Sequence, residues 1–188
     1  MPVVKVTLIK GYEPAVLQRL GERLTDAVRS VIDAPLDGVT IAVEEVQPAG
    51  YMRGRAAKSP GAPLLDPEIV VREYLAAMEM RDLDAARTYL GPGFSMTFPG
   101  GRRFDELDDL VTWSKSRYRS VGKTNDRFES VPVEDGTAVY CFGTLHGIWN
   151  DGSAFADIRF IDRFVVRSGK IVEQLVWNDL GEALAWST

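Results

Sequence analysis

Residues 137–178 read TAVYCFGTLHGIWNDGSAFADIRFIDRFVVRSGKIVEQLVWN, and they set the architecture of most of the chain. The stretch contains three runs rich in β-branched and aromatic residues, at 137–149, 154–167 and 170–178, and a fourth run at 124–133 precedes it. Such runs predict β-strands. Short glycine-containing turns separate them, which predicts an antiparallel meander. These turns are Glu134-Asp135-Gly136, Asn150-Asp151-Gly152 and Ser168-Gly169.

Helical signals precede the meander. Asp66 is a good N-cap residue and Pro67 suits the first helical position. A second short helix is expected from Asp82, a strand over 94–98, and a third helix capped by Asp105. Helices followed by antiparallel strands indicate an α+β domain. The predicted apolar side chains are Ile69, Val70, Tyr74, Ala77 and Met78 in the first of these helices, and Leu107, Leu110, Val111 and Trp113 in the third.

The N-terminal part has a different pattern. Residues 2–9, PVVKVTLI, predict a strand, and Pro14 opens a helix with one apolar face. A turn at 33–38 leads to a second predicted strand at 39–46. The crossover helix implies that the two strands are parallel. A β-α-β unit of this size leaves its sheet edges open, so we expect self-association.

Proline and glycine mark the boundary between the two parts. Residues 56–65 show no periodicity and contain Pro60, Gly61 and Pro63, which is typical of a linker. The sequence therefore predicts a β-α-β domain at 1–55 and an α+β domain at 66–188.

Composition excludes several functions. The chain has 188 residues, a net charge of −5 and a single cysteine. Negative charge disfavours a nucleic-acid partner, because phosphates bind basic surfaces. No apolar run approaches the ~20 residues of a membrane-spanning helix, and one cysteine forms no internal disulfide. We expect a cytoplasmic protein without membrane partner, metal or cofactor, because one histidine and one cysteine make no metal cluster.

Residues 2–55 resemble the 4-oxalocrotonate tautomerase family. The likeness rests on Pro2, on the turn Asp33-Ala34-Pro35-Leu36 and on the second strand ending at 44–46. In that family the mature N-terminal proline transfers a proton on an enol or unsaturated keto acid. The resemblance implies that Pro2 is a general base, since a free α-amino group titrates near ~8 and lower when desolvated. A structural role for Pro2 as a strand-opening residue stays open.

The same resemblance points to binding residues. Family members acting on dicarboxylates carry arginines at the positions of Tyr12 and Thr40 here, so the dicarboxylate substrate is not implied. Tyr51 matches the family's aromatic residue after the second strand, and Arg53 and Arg55 are candidates for the missing positive charge. Small family members form hexamers, so the resemblance implies a homo-oligomer, either dimer or hexamer.

Residues 67–186 resemble the nuclear transport factor 2-like superfamily, which includes SnoaL-like polyketide cyclases and ketosteroid isomerase. The likeness rests on the segments 160–164, 169–171 and 177–179 in that order. It implies a cone-shaped α+β domain whose curved antiparallel sheet encloses a pocket for a small carbonyl or hydrophobic molecule. The fold hosts both enzymes and binding proteins.

Asp162 is the strongest candidate in this domain. Strand alternation places it on one face with Ile158, Phe160, Phe164 and the apolar positions 156 and 166. An acid on such a face has its pKa raised by desolvation and is a functional-site candidate. By resemblance Asp162 matches the protonated aspartate of ketosteroid isomerase. The general base of that enzyme is replaced here by Phe98. A structural acid, paired or capped, is the equal alternative.

Other pocket candidates are weaker. His146 shares an alternation face with Tyr140, Phe142 and Ile148, and is a candidate base or a structural residue. Trp113, Tyr118, Trp149 and Trp177 are candidates for lining the cavity or filling core.

Three functions follow from these patterns. The first is a tautomerase using Pro2, with a hydrophobic pocket in the second domain. The second is a SnoaL-like cyclase or isomerase centred on Asp162. The third is a non-catalytic oligomer that binds a small molecule.

Overall fold

The computed structural model describes residues 1–185, so residues 186–188 of the predicted second domain lie outside the described residues. The chain divides into two compact units, which we call unit 1 (Met1–Pro63) and unit 2 (from Leu64 onwards). Within residues 1–185 no helix combines the length and apolar character needed to cross a membrane.

Unit 1 contains the predicted β-α-β arrangement. Its main elements are β1 (Val3–Ile9), α1 (Pro14–Arg29) and β2 (Thr40–Val46). Strands β1 and β2 pair in parallel from Val3 opposite Thr40 to Ile9 opposite Val46, which confirms the predicted strand direction. Single 3₁₀ turns cover Leu36–Gly38 and Pro48–Gly50.

A small hairpin follows β2. Strands β3 (Met52–Arg53) and β4 (Ala56–Ala57) pair antiparallel, so the first two residues of the predicted linker are strand residues. Gly54 and Arg55 both have positive φ, at 58° and 66°, as a two-residue type I′ turn requires.

Burial in unit 1 is shallow. None of its residues is buried within the single chain, and Val3, Val31 and Leu36 expose more than half of their surface. The unit therefore has the elements of its fold without a closed core.

Unit 2 begins with two helices, continues with strands around a third helix, and ends with a short helix. Its elements are α2 (Pro67–Glu79), α3 (Leu83–Thr88), β5 (Leu90–Phe98), β6 (Arg102–Phe104), α4 (Leu107–Ser114), β7 (Tyr118–Val133), β8 (Gly136–Trp149), β9 (Ala154–Arg167), β10 (Lys170–Asn178) and α5 (Leu180–Ala185).

Six strands form one sheet in the order β6-β5-β10-β9-β8-β7. All neighbouring pairs are antiparallel except β5 with β10. Four register shifts interrupt the long pairs of β7 to β10, and such bulges bend strands and increase their twist. The predicted antiparallel meander and α+β class are confirmed.

The core of unit 2 lies between the helices and the inner face of the sheet. Helix α2 has the predicted N-cap, where the Asp66 side chain accepts from the backbone N–H of Glu68 at 3.0 Å. Tyr74 of α2 packs edge-on against Phe164 of β9, with ring centroids 5.9 Å apart. Ile69 was expected in the buried stripe but is exposed, and Val71 takes a buried place.

Two local expectations were wrong. Asp105 does not cap α4: Glu106 occupies the N-cap position, and the Asp105 carboxylate accepts instead from Arg103 at 3.2 Å. Strand β7 begins at Tyr118, six residues before the predicted start, because β8 offers a partner as far as Trp149.

The alternation along β9 breaks at one point. Asp157 has a φ of 59°, and the β8–β9 register shifts between Leu145 and Gly147. From Ile158 to Val166 the predicted face is buried, whereas Ala156, on the other side of the bulge, is exposed.

Candidate functional site

A cavity of about 280 Å³ opens in unit 2 between the helices and the inner face of the sheet. Helix α2 contributes Tyr74 and Met78, and α4 contributes Leu110. The start of β7 contributes Tyr118 and Lys123. A second cavity of about 60 Å³ adjoins the same part of β7 and reaches deeper, to Asp162 and Phe160.

Asp162 lies at the base of this arrangement with no exposed surface. Its Oδ2 atom accepts from the Lys123 ammonium in an ion pair, and from Gln174 Nε2 at 3.2 Å. Its Oδ1 atom is buried and has no hydrogen-bond partner among the described residues. The carboxylate is therefore held on one oxygen and unsatisfied on the other.

Lys123 joins the two cavities, since it lines both. Its ammonium lies 4.4 Å from the centroid of the Phe160 ring, a cation–π contact. A quarter of its side chain is exposed, whereas Asp162 is fully buried. A buried carboxylate needs such a partner, because burying an unpaired charge is very costly.

Gln174 and Tyr74 complete a hydrogen-bonded chain behind Asp162. The Tyr74 hydroxyl donates to Gln174 Oε1 at 3.3 Å, which leaves the Gln174 amide N–H to donate to Asp162. Burial, with the negative charge of Asp162 second, raises the pKa of Tyr74 above its usual range. The phenol therefore stays protonated and fixes the orientation of the amide.

Cys141 lies opposite Asp162 in the β8–β9 register. Burial raises the pKa of its thiol to about 12, although the nearby Lys123 charge acts against this. Its Sγ donates to Asn125 Oδ1 at 3.1 Å. A protonated, hydrogen-bonded thiol of this kind is a structural residue and not a nucleophile.

Three of the residues predicted from sequence come together here. Asp162, Trp113 and Tyr118 all line the smaller cavity, and Tyr118 also lines the larger one. Trp149 lies elsewhere in the core, where it packs on Phe155 with ring centroids 4.3 Å apart.

Two predicted pocket residues lie on the opposite face of the sheet. His146 is exposed on the outer side of β8, where it lies opposite Gly122 of the neighbouring strand β7. Trp177 is 51% exposed and pairs with exposed Ile161. His146 does share a face of β8 with Tyr140 and Phe142, as predicted. The helices cover the opposite face of the sheet, so the expectation that His146 lines the pocket was wrong.

The remaining candidates lie in unit 1. The Pro2 carbonyl accepts from the backbone N–H of Thr40 at 3.1 Å, which places the start of β2 beside Pro2. Tyr12 and Tyr51 are half-buried, and Arg53 is exposed on β3. These residues belong to a different unit from Asp162, so the predicted site residues form two groups.

Sequence reasoning missed Lys123 and Gln174. Lys123 lies before the start of the predicted strand at residue 124. In addition, a bulge at Asp126 interrupts the alternation of inward and outward side chains between Lys123 and Phe128. Gln174 did carry a signal, because an amide between Val172 and Val176 on an apolar strand face is unusual.

Residues 71–174, more than half of the chain, match the model of the SnoaL-like domain, and the chain belongs to this family. Residues 2–58 match the model of the tautomerase enzyme family, so the chain joins a tautomerase-type unit to a SnoaL-like domain. No curated protein matches the sequence.

Solved structures share the fold of unit 2. An NTF2-like protein of unknown function from Burkholderia pseudomallei is 19% identical, with a TM-score of 0.55, over 65% of this chain and 97% of that one. TerC co-crystallized with polyporic acid is 16% identical, with a TM-score of 0.54, over 65% and 96%. A putative polyketide cyclase from Xanthomonas campestris pv. campestris is 18% identical, with a TM-score of 0.52, over 65% and 96%.

Proposed function

We propose that the chain is an isomerase or cyclase that moves a proton on a small carbonyl compound in the cavity of unit 2. The observation that carries this proposal is the Oδ1 atom of Asp162, which is buried at the smaller cavity without a hydrogen-bond partner among the described residues. An unsatisfied buried oxygen costs free energy. A substrate that brings an acidic hydrogen to this atom recovers that cost.

The reaction begins when Asp162 Oδ1 takes a proton from the carbon next to the substrate carbonyl. The C–H electron pair moves into the carbonyl group, which becomes an enolate. Asp162 becomes neutral in this step, which releases the ammonium group of Lys123 from its ion pair to stabilise the negative oxygen; Lys123 lines both cavities. Return of the proton from Asp162 to another carbon of the enolate system gives an isomer. Alternatively, the enolate carbon attacks a second carbonyl carbon, whose C=O π electrons move to its oxygen. That oxygen takes the proton from Asp162, so that the ring is closed and the carboxylate is restored.

The hydrogen bonds at Asp162 favour a base over a neutral acid. Its Oδ2 forms an ion pair with the Lys123 ammonium group and also accepts from Gln174, and an ammonium group pairs with a carboxylate rather than with a neutral acid. The neutral, donating aspartate implied by the likeness to ketosteroid isomerase is not supported by this set of contacts. The proposal instead gives Asp162 the role of base. This agrees with Phe98, which cannot act as a base, at the position of that enzyme's general base.

The comparisons support the reaction class. The SnoaL-like family match covers the strands that carry Lys123, Asp162 and Gln174. Neighbours in fold include a putative polyketide cyclase and TerC, which was crystallized with polyporic acid. A small organic substrate in the cavity of unit 2 is consistent with both.

The test is proton exchange in a panel of enol pyruvates, phenylenolpyruvate and 2-hydroxymuconate. Ultraviolet absorbance follows ketonisation, and NMR in D₂O follows deuterium uptake next to the carbonyl. We expect Asp162→Asn to lower kcat by at least about 100-fold, the usual contribution of a general base. Full turnover by Asp162→Asn, or ligand binding without exchange in the wild type, contradicts the proposal. His146→Ala, on the outer face, is the control that keeps wild-type activity.

A second candidate function is favoured by one observation. The tautomerase family match starts at Pro2 and covers residues 2–58. With Met1 removed, Pro2 presents a secondary amine that is a suitable general base when desolvated. Thr40, Tyr12, Tyr51 and Arg53 are the candidate substrate contacts of this tautomerase.

The same assay separates the two candidates. If Pro2 is the base, Pro2→Ala abolishes ketonisation and Asp162→Asn does not. Intact-mass analysis supplies the second readout, because a purified protein that retains Met1 has no free proline amine and contradicts this candidate.

A further inference from the structure

We propose that the cavity of unit 2 takes a hydrophobic ligand that carries an anionic group, a carboxylate or an acidic enol, and that Arg81 and Arg117 hold this group beside Tyr118. The proposal deepens the function proposed above, because it names the substrate class of the same cavity. Its readout is binding, so it succeeds or fails independently of turnover.

The charges around the cavities are unbalanced. The larger cavity is lined by Arg72, Arg81 and Lys123 against a single acid, Glu79. The smaller cavity adds Arg117 and the acid Asp162, and Asp162 is already paired with Lys123. This positive lining contrasts with the net charge of −5 of the whole chain. A concave site with one sign of charge attracts ligands of the other sign.

Two of these cations are available to a ligand. Arg72 forms an ion pair with Glu68, with 2.7 Å between Nη2 and Oε1, and Lys123 forms one with Asp162. Arg81 and Arg117 lie within ion-pair distance of no carboxylate among residues 1–185. The Cζ atom of Arg117 lies over the Trp113 ring, 4.6 Å from its centroid. Both guanidinium groups are therefore free to bind an anion in bidentate fashion.

Tyr118 connects the cavities to which the two arginines belong. Its phenol lines both cavities. Burial raises its pKa, and the positive charges of Arg117 and Arg81 act in the opposite direction. Arg81 lines the larger cavity and Arg117 the smaller one, and Tyr118 lies where the two cavities adjoin.

The backbone at Arg81 is unusual for its position. Arg81 follows the end of α2 with a φ of 60°, and its N–H donates to Met78 O at 3.2 Å while Asp82 N–H donates to Ala77 O at 3.0 Å. This is a Schellman ending, in which glycine is the preferred residue. An arginine at this position has a strained backbone, and its charged side chain lines the larger cavity.

The rest of the lining suits an apolar body. Leu75, Met78, Leu110 and Val121 line the larger cavity, and Phe98, Trp113 and Leu145 line the smaller one. A ligand anchored by its anionic group at Tyr118 extends along these side chains towards Lys123 and Asp162.

A matched pair of probes tests the proposal. Isothermal titration compares 2-naphthoate with 2-naphthamide, which share shape but differ in charge. We expect wild type to prefer the carboxylate by at least about tenfold, the effect of one charge-assisted hydrogen bond. Arg81→Gly and Arg117→Gln each reduce this preference, and the double variant removes it. Equal affinities in wild type, no binding of either probe, or a preference that survives in the double variant overturns the proposal.

Two controls sharpen the test. Arg81→Gly relieves the positive φ, so its thermal stability stays equal to or above that of wild type while its preference for the carboxylate falls. Arg159→Gln removes an exposed arginine that pairs with Asp179, and leaves the preference unchanged. Asp162→Asn retains or strengthens the preference, because it frees the Lys123 ammonium group, so loss of turnover in that variant is a separate result.

Discussion

At the scale of single residues, Asp162 has the most unusual environment in the described chain. It is fully buried, paired on Oδ2 with Lys123 and Gln174, and unsatisfied on Oδ1. A buried ion pair contributes little net stability, but removal of one partner leaves an uncompensated charge. The carboxylate of Asp162 therefore affects the stability of unit 2 as well as its proposed function.

We expect Lys123→Met to destabilise unit 2 by about 3 kcal/mol, because it leaves Asp162 charged and buried. The double variant Lys123→Met/Asp162→Leu recovers most of this loss. Urea unfolding followed by tryptophan fluorescence measures unit 2 alone, since all four tryptophans follow residue 64.

The matched control for this pair is Arg159→Met. Arg159 is 83% exposed and its pair with Asp179 lies at the surface, so we expect a change of about 0–1 kcal/mol. Equal losses for Lys123→Met and Arg159→Met would show that the Lys123–Asp162 pair has no special energetic role.

At the scale of elements, the close pairing of β7 with β8 depends on Gly143. A Cβ atom at this position would lie 1.9 Å from Thr124 O and 3.1 Å from the Phe160 ring. The missing side chain lets β7 approach and lets Phe160 lie where Lys123 packs on it. One glycine thus connects strand pairing to the arrangement of the site.

We expect Gly143→Ala to destabilise unit 2 by about 2 kcal/mol or more, because the clash is with backbone that has no other place to go. Gly181→Ala in α5 is the control, since a Cβ there meets nothing within 4 Å. Alanine at that helical position is neutral or stabilising by up to about 1 kcal/mol. Similar midpoints for the two variants would contradict the expected role of Gly143.

At the scale of the whole molecule, the two units differ in how much they bury. Unit 2 has a continuous core from α2 to β10, whereas no residue of unit 1 is buried within one chain. A two-stranded sheet with one helix has open edges and too little core to be stable by itself. We expect burial by a second copy of the chain to supply what unit 1 lacks.

We therefore expect a homo-oligomer, a dimer or a hexamer, in which unit 1 is part of the interface. Light scattering coupled to size-exclusion chromatography measures the mass at micromolar concentration. Val3→Asp places a charge on an exposed apolar position of β1 and is expected to shift the mass towards the monomer. A wild-type monomer would contradict this prediction.

Much of the fold followed from the sequence. The period-two and period-3.6 patterns fixed the order of helices and strands, because they depend only on which side chains are apolar. They also predicted that Asp162 lies on a buried face, since most of its neighbours there are apolar. The likenesses at Pro2 and over the C-terminal strands gave the families of both parts.

The tertiary structure alone decided the composition of the site. Alternation separates the two faces of β8 but does not say which face the helices cover, and His146 lies on the uncovered one. The bulge at Asp126 breaks the periodicity of β7, so the inward position of Lys123 was not visible. Its pairing with Asp162 joins residues 39 positions apart on β7 and β9. This contact depends on the register of two successive strand pairs, and bulges shift the register in both of them.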